Sequence, residues 1–486
     1  MGNELRLIIR NNNDSDGITE AIIREFRKHY ENVSGIVLNH EPVPRERDNE
    51  FDYIDSSVFL THDNPTIREA TQPIDGSILQ AMLPYKSMAM HIMMRTIHFD
   101  VFDREYLERI YYLHLKYWNQ LIDDNRINLG VFMVIPHHVG EYILYSLCCV
   151  KDIKTIVMFP LYGNAMYAIG NSIEDIGNSV ATRYHELTDK ETMIDEHDSE
   201  FDPLFDNVKN GKVFSFEKKI IKRLRKEHTS NIGMKSIAIQ IKLFIRERGV
   251  KHLGYKKRVH LTKIKYIIKA RMRRISMDKV SDYNRYAVYP DKDEEYILFP
   301  LQVCPEATTM PLAGEFKNQI LSIELLSAAI DGMPLKLYVK EHWANCYREK
   351  GFYKAISRLK NVKMIRIDVN SLELMDGASI VVSQTGSCLL EALIKNKPAI
   401  SIKGNLYKGC PNIVVASDLS EIKGLVNEML MGKRISKIDV YRYLRAMAEE
   451  TVCLYLAGLS EASSGYNKDE SAKKIVRFVL NGRICD

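Results

Sequence analysis

Apolar and polar positions along the chain repeat a strand–loop–helix–strand rhythm. Leu5–Arg10 is an apolar run that predicts a strand, and residues 11–17 (Asn-Asn-Asn-Asp-Ser-Asp-Gly) are loop chemistry. Ile18, Ile22, Ile23 and Phe26 give helical spacing over Ile18–Tyr30, and Val33–Leu38 predicts a second strand. A later unit repeats this: strand Gly130–Ile135, loop Pro136–Gly140, helix Glu141–Val150, strand Thr155–Phe159. Such βαβ units imply a parallel sheet. The stretch from 60 to 125 is helix-rich and has no evident place in that sheet.

From Glu295 the rhythm is clearer. Strands are predicted at Tyr296–Pro300, Leu335–Lys340, Val362–Ile367, Ser379–Ser383, Ala399–Lys403 and Ile413–Ala416, with helices between most of them, among them Gly314–Ile330 and Ser387–Lys395. This describes a doubly wound α/β sheet. The expected organisation is an N-terminal α/β domain (1–205), a basic helical insertion (206–285), a C-terminal α/β domain (286–435) and C-terminal helices (436–486) packing back across the domains.

Composition narrows the class. Of 486 residues, 45% are hydrophobic and 27% charged, enough for more than one core. Disordered, collagen-like and disulfide-stapled classes are excluded. The eight cysteines form no C-x-x-C pair, which argues for reduced thiols and against zinc. The longest apolar stretch lies around Tyr142–Val150, short of the roughly 20 residues of a membrane span. The first ten residues are too charged for a secretory leader. Cytoplasmic residence is therefore the default expectation, and attachment to the inner face of the plasma membrane is an alternative that rests on the basic segment 218–274.

The net charge of +5 hides an asymmetry: residues 218–274 carry 20 Lys and Arg against Glu227 and Glu247, so this segment is +18 and the rest −13. The segment reads either as a solvated helical linker or as an amphipathic face for an anionic membrane surface. Nucleic acid is disfavoured, because Phe244, Tyr255 and Tyr266 are its only aromatics.

Ligands of an open parallel sheet bind beyond the carboxyl ends of its strands. Four such ends in the C-terminal half carry polar groups: Glu306, Thr308 and Thr309; Lys340 with His342 and Trp343; Thr385, Gly386 and Ser387 opening a helix that bears Glu391; and 404–407. The third loop suits an anion, since the first N–H groups of a helix have no internal partner. Thr385 or Ser387 serves equally as a simple N-cap. His342 is placed to donate to a phosphate and Trp343 to stack on a base. Asp14/Asp16 and Asp291/Asp293 match D-x-D, a pattern too short to carry weight, and His137, His138 and Glu141 do not form H-E-x-x-H. No metal or cofactor is expected. There is no P-loop and no G-x-G-x-x-G.

Together, the run Phe299–Gly314, Gln319, Val339-Lys-Glu-His342, Ser383-Gln-Thr-Gly-Ser387, Glu391-Ala-Leu, Lys397-Pro-Ala-Ile400 and Tyr407 resembles bacterial capsular and surface polysaccharide biosynthesis proteins. These are GT-B glycosyltransferases related to enzymes that transfer 3-deoxy-ulosonic or sialic acids from CMP donors. The resemblance covers about 295–420. It implies two Rossmann-like domains facing a cleft, with a nucleotide sugar in the C-terminal one. It implies that His342 and the Thr385–Gly386–Ser387 loop hold phosphate and that Glu391 faces ribose or base. Trp343 departs from the family, which has Pro there. A base from the N-terminal domain is implied as well, with Asp16, His138 and Glu141 as candidates. The expected function is sugar transfer from a nucleotide-activated, CMP-type donor to a glycan or lipid-linked glycan. The alternatives are a nucleotide-sugar epimerase, a polyol-phosphate transferase, or a non-catalytic polysaccharide- or membrane-binding module.

Overall fold

The computed structural model describes residues 4–11, 17–39, 48–55, 58–59, 64–96, 104–162, 166–189, 268, 278–304, 306–345, 347–403, 406–431, 435–454 and 467–484. The basic segment 218–274, except Ile268, lies outside the described residues, as do Asp14 and Asp16.

The N-terminal unit begins with β1 (Glu4–Arg10), α1 (Ile18–Phe26), β2 (Asn32–Asn39) and β3 (Phe51–Asp55). Three helices follow in the stretch the sequence left unplaced: α2 (Gly76–Ala81), α3 (Leu83–Thr96) and α4 (Arg104–Asp124). The unit continues with β4 (Leu129–Phe132), α5 (Val139–Val150), β5 (Lys154–Tyr162), β6 (Met166–Gly170) and α6 (Asn178–Asp189). The strands lie in the order β6-β5-β4-β1-β2-β3, parallel except for β6. The central strands are buried on both faces, which explains their unbroken apolar runs. At Gly35 in β2, a Cβ would stand 1.9 Å from the Leu7 carbonyl oxygen, so only glycine permits this strand to pair there.

The C-terminal unit opens earlier than 286. Strand β7 (Asp278–Lys279) is antiparallel to Tyr347–Arg348, and Tyr283 is fully buried in this unit's core. Then come β8 (Ala287–Val288), β9 (Tyr296–Pro300), α7 (Gln319–Ala329), β10 (Lys336–Lys340), β11 (Tyr347–Arg348), α8 (Phe352–Ile356) and β12 (Val362–Ile365). The unit ends with α9 (Ser371–Gly377), β13 (Ile380–Ser383), α10 (Cys388–Ile394), β14 (Ala399–Ser401), β15 (Ile413–Val415) and α11 (Leu419–Leu430). The single helix expected over Gly314–Ile330 is a 3-10 turn, Gly314–Lys317, followed by α7. The break falls at Asn318, whose side chain accepts the Ile320 N–H and caps α7.

The seven-stranded sheet is ordered β15-β14-β13-β9-β10-β12-β8 and is entirely parallel. With the short edge strand β8 set aside, so that β9 counts as the first strand of the C-terminal unit, both units follow the doubly wound 3-2-1-4-5-6 order. The switch point falls between β1 and β4 in one unit and between β9 and β13 in the other.

The C-terminal segment returns to the N-terminal unit. Helix α12 (Lys437–Glu449) packs on α6, β16 (Thr451–Cys453) pairs antiparallel with β6, and α13 (Lys468–Asn481) packs on α1. The units also touch directly. The Tyr407 hydroxyl donates to the Leu161 carbonyl at 2.6 Å, and Lys408 donates to the Glu174 carbonyl and the Asn178 side chain. Gly177, at φ 87°, leaves no room for a Cβ, which would lie 2.7 Å from the Leu406 oxygen. Tyr407 is therefore a contact between units.

Candidate functional site

In the N-terminal unit a buried ion pair bridges the switch point. Arg10, the last residue of β1, donates from Nε to Glu141 Oε1 at 2.6 Å; their side chains are 2% and 0% exposed. Arg10 also donates to the Asn11 carbonyl, and Asn11 donates to Asn39 at the end of β2. Glu141 is the third residue of α5, so its other oxygen reaches back to the helix start. Oε2 accepts the N–H of His137 and of His138 (3.4 Å each) and faces His138 Nδ1 at 3.2 Å. Burial opposes ionisation of Glu141, but Arg10, His138 and His137 overcome it and hold the carboxyl well below its usual range.

Two of the three proposed bases are thus brought together, with different capacities. Glu141 is a fixed carboxylate and a poor proton acceptor. An acceptor-only carboxylate favours the tautomer with the His138 proton on Nδ1, and in that tautomer Nε2 is a lone-pair acceptor on a side chain 23% exposed. Asp16 lies outside the described residues. Ligand atoms of His137, His138 and Glu141 stand within 4.8 Å of one another, near enough to consider a cation. The Arg10 guanidinium against the same carboxylate opposes one electrostatically.

In the C-terminal unit the loops after β9, β10 and β13 adjoin. His342, half-buried, follows β10. Its Nδ1 accepts the Ala344 N–H at 3.2 Å, so the neutral ring carries its proton on Nε2. Burial drives its pKa down to about 4, with Arg348 and Lys340 adding and Glu341 opposing. His342 is therefore a neutral donor at physiological pH, stacked beside Trp343 (6.1 Å between ring centroids, 14° between planes). Ser387 precedes α10, is exposed and makes no cap bond to the helix; Gly386 beside it is half-buried.

Other predicted residues are occupied otherwise. Thr385 is buried: its hydroxyl donates to the Thr308 carbonyl at 2.7 Å and accepts from Gln302 Nε2 at 3.0 Å, so it ties loops together. The Thr308 hydroxyl donates to exposed Glu306 at 2.9 Å. Lys340 is buried, its pKa lowered by burial, and donates to the Ile367 carbonyl at 3.2 Å. Glu391 is half-buried one turn into α10 and, after burial itself, helps push the Cys388 thiol up to about 12.

A set of residues to which the sequence reading gave no role lies beneath these loops. Arg348 donates to both oxygens of Glu341 (2.8 and 2.6 Å), and Glu341 also accepts the His342 N–H and the Tyr353 hydroxyl. Gln302 and Gln319 exchange two hydrogen bonds. The signals in the sequence were that Gln302, Gln319 and Glu341 stand in the motifs that carry the resemblance, and that an Arg follows Glu341 by seven residues.

Two Rossmann-like α/β units, each with polar groups at its switch point and a C-terminal helix returning to the first unit, define a GT-B architecture. Residues 217–410 match the family described as capsule polysaccharide biosynthesis protein; the match spans fewer than half of the 486 residues but holds all the C-terminal site loops. The resemblance read from the sequence is borne out. No curated relative matches the chain.

Solved structures similar to the chain include the β-Kdo 2,7-transferase KpsC of Thermosulfurimonas dismutans, at 13% identity and TM-score 0.31, over 80% of this chain and 96% of that one. The UDP-GlcNAc 2-epimerase of Neisseria meningitidis bound to UDP-GlcNAc has 13% identity and TM-score 0.26, over 98% and 99%. S. aureus MnaA with UDP has 12% identity and TM-score 0.24, over 98% and 97%. At these scores the structures carry no argument about activity.

Proposed function

We propose that the protein is a GT-B glycosyltransferase of capsular or surface polysaccharide synthesis. It moves a sugar from a nucleotide-activated, CMP-type donor to a growing glycan or lipid-linked glycan. The observation that carries this reading is that His342 and Ser387, both available to a ligand, stand at strand ends of one sheet inside the family-matched stretch.

The donor phosphate would lie against His342 Nε2–H and the backbone around Gly386 and Ser387, with Glu306, Thr308 and Glu391 at its rim. The acceptor hydroxyl attacks the anomeric carbon and gives its proton to His138 Nε2. The bond from that carbon to the donor phosphate oxygen breaks, and the electron pair leaves with the nucleotide. Growing negative charge on the leaving phosphate is met by donors already in place, a metal-independent arrangement. Glu141 keeps His138 in the required tautomer and Arg10 keeps Glu141 ionised, so both are positioning residues.

No helix among the described residues is long and apolar enough to cross a membrane. We assign segment 218–274 to an anionic inner-leaflet surface, where a lipid-linked acceptor is found; flotation with vesicles containing phosphatidylglycerol, with and without 218–274, tests this. The central test is calorimetry with CMP, CDP, UDP, GDP and ADP on the wild type, His342→Ala and Ser387→Ala. One nucleotide should bind, and both variants should weaken it at least tenfold. With labelled donor and glycan, His138→Ala should keep binding and lose transfer. Binding of none of the five, or formation of an epimerised free sugar, would overturn the reading.

A further inference from the structure

Beneath the three site loops of the C-terminal unit runs one buried hydrogen-bonded circuit. Arg348 (4% exposed) forks onto Glu341 (1% exposed), and Glu341 Oε1 accepts the His342 N–H at 2.7 Å. The same guanidinium donates to the Gln302 carbonyl at 2.9 Å. The Gln302 side chain then crosses the switch point: Nε2 donates to Thr385 Oγ1 at 3.0 Å, and Oε1 accepts the Thr385 N–H at 3.4 Å. Thr385 holds the Thr308 carbonyl in turn. Gln319, from α7, closes on the Gln302 backbone at both ends, and the Tyr353 and Tyr283 hydroxyls pin the Glu341 side chain and backbone.

A buried ion pair is weak support for stability, because desolvation offsets its Coulomb gain and an apolar pair of similar volume often serves as well or better. What Arg348 and Glu341 achieve that an apolar pair cannot is to fix two peptide groups, the His342 N–H and the Gln302 C=O, on neighbouring loops. We infer that Arg348, Glu341 and Gln302 are positioning residues for the nucleotide site: they set His342 and the Gly386–Ser387 backbone in register so that both meet one phosphate group. This rests on the donor-site reading above and deepens it. None of the three needs to touch the ligand. Their value is preorganisation, since donors already fixed need not be ordered when the phosphate arrives.

The test uses the full chain with CMP and UDP as calorimetric probes, and thermal unfolding of the same samples. The paired replacement R348M with E341L removes the fork and retains packing. The expected result is a midpoint within a few degrees of wild type and at least tenfold weaker nucleotide binding. Adding His342→Ala to that pair should then cost less than threefold more, although His342→Ala alone costs at least tenfold. A residue that only supported the fold would change the midpoint and leave the effect of His342→Ala undiminished. Should the paired variant not fold, Gln302→Met keeps the ion pair, releases Thr385 and should show the same shortfall from additivity. Wild-type binding with unaltered affinity in these variants, or losses that simply multiply, overturns the inference and spares the donor site. Where wild type binds neither CMP nor UDP, the one among CDP, GDP and ADP that it does bind serves as the probe, and binding of none of the five overturns both.

Discussion

Replacing Glu141 by Gln tests the core of the N-terminal site. The substitution keeps the side chain's size and leaves the Arg10 guanidinium, 2% exposed, facing a neutral amide. Breaking a buried pair from one side costs about 3–5 kcal/mol, because the remaining charge is desolvated and uncompensated. Glutamine still accepts a hydrogen bond, which points to the lower end, about 3 kcal/mol. For a unit of roughly 200 residues each kcal/mol moves the midpoint by about 2–4 °C, so the loss should be about 6–12 °C at pH 7. Thermal unfolding followed by circular dichroism reads this directly. The paired change R10M with E141L removes both charges and should recover most of the midpoint.

The deficit should also depend on pH. The folded carboxyl is held well below its usual range, so the unfolded chain takes up this proton first as the solution is acidified. The stabilisation is complete above about pH 4.5 and is lost as the pH falls toward the depressed folded value. Wild type and Glu141→Gln should therefore converge in acid. A deficit below about 1 kcal/mol at neutral pH, or one constant down to acid unfolding, would refute the assignment of an ionised, compensated pair.

Other outcomes separate structural from ligand-facing groups. Thr385→Ala removes a buried hydroxyl that serves Thr308 and Gln302 and should cost about 1–3 kcal/mol in chemical denaturation, whereas Ser387→Ala should leave stability within about 0.5 kcal/mol of wild type and weaken nucleotide binding. Because the pKa of His342 is lowered to about 4, its contribution is complete above its ordinary 6.5 and is lost as pH falls toward 4; His342→Asn should flatten the wild-type decline across that window in stepped-pH denaturation. Gly35→Ala would set a Cβ 1.9 Å from the Leu7 oxygen, prevent β1 and β2 from pairing, and abolish soluble folded protein on expression.

Unbroken apolar runs bounded by turn chemistry made the central strands legible, and Tyr296–Pro300 is read to the residue. The edges were not. Strand β3 carries two acids among five residues, and β16 is three residues long and meets β6 only through a return of some 280 positions. Pairing that distant leaves no local pattern.

The site divides along the same line. Reading strand ends singled out His342, Ser387, His138 and Glu141 as candidates, because a polar residue after a buried strand is visible in one dimension. Where a side chain turns is not: Lys340 goes to the Ile367 carbonyl, and Thr385 goes inward to Thr308. Gln302 and Thr385 are 83 positions apart, and Arg10 and Glu141 are 131 apart. Both contacts follow from one topological fact, that the doubly wound order sets β1 beside β4 and β9 beside β13. Once strand order is inferred, polar residues ending those two strands are the ones to pair. That rule joins Arg10 to the Glu141 loop and Gln302 to the Thr385 loop, and it places the two chemical centres at equivalent points of the two units.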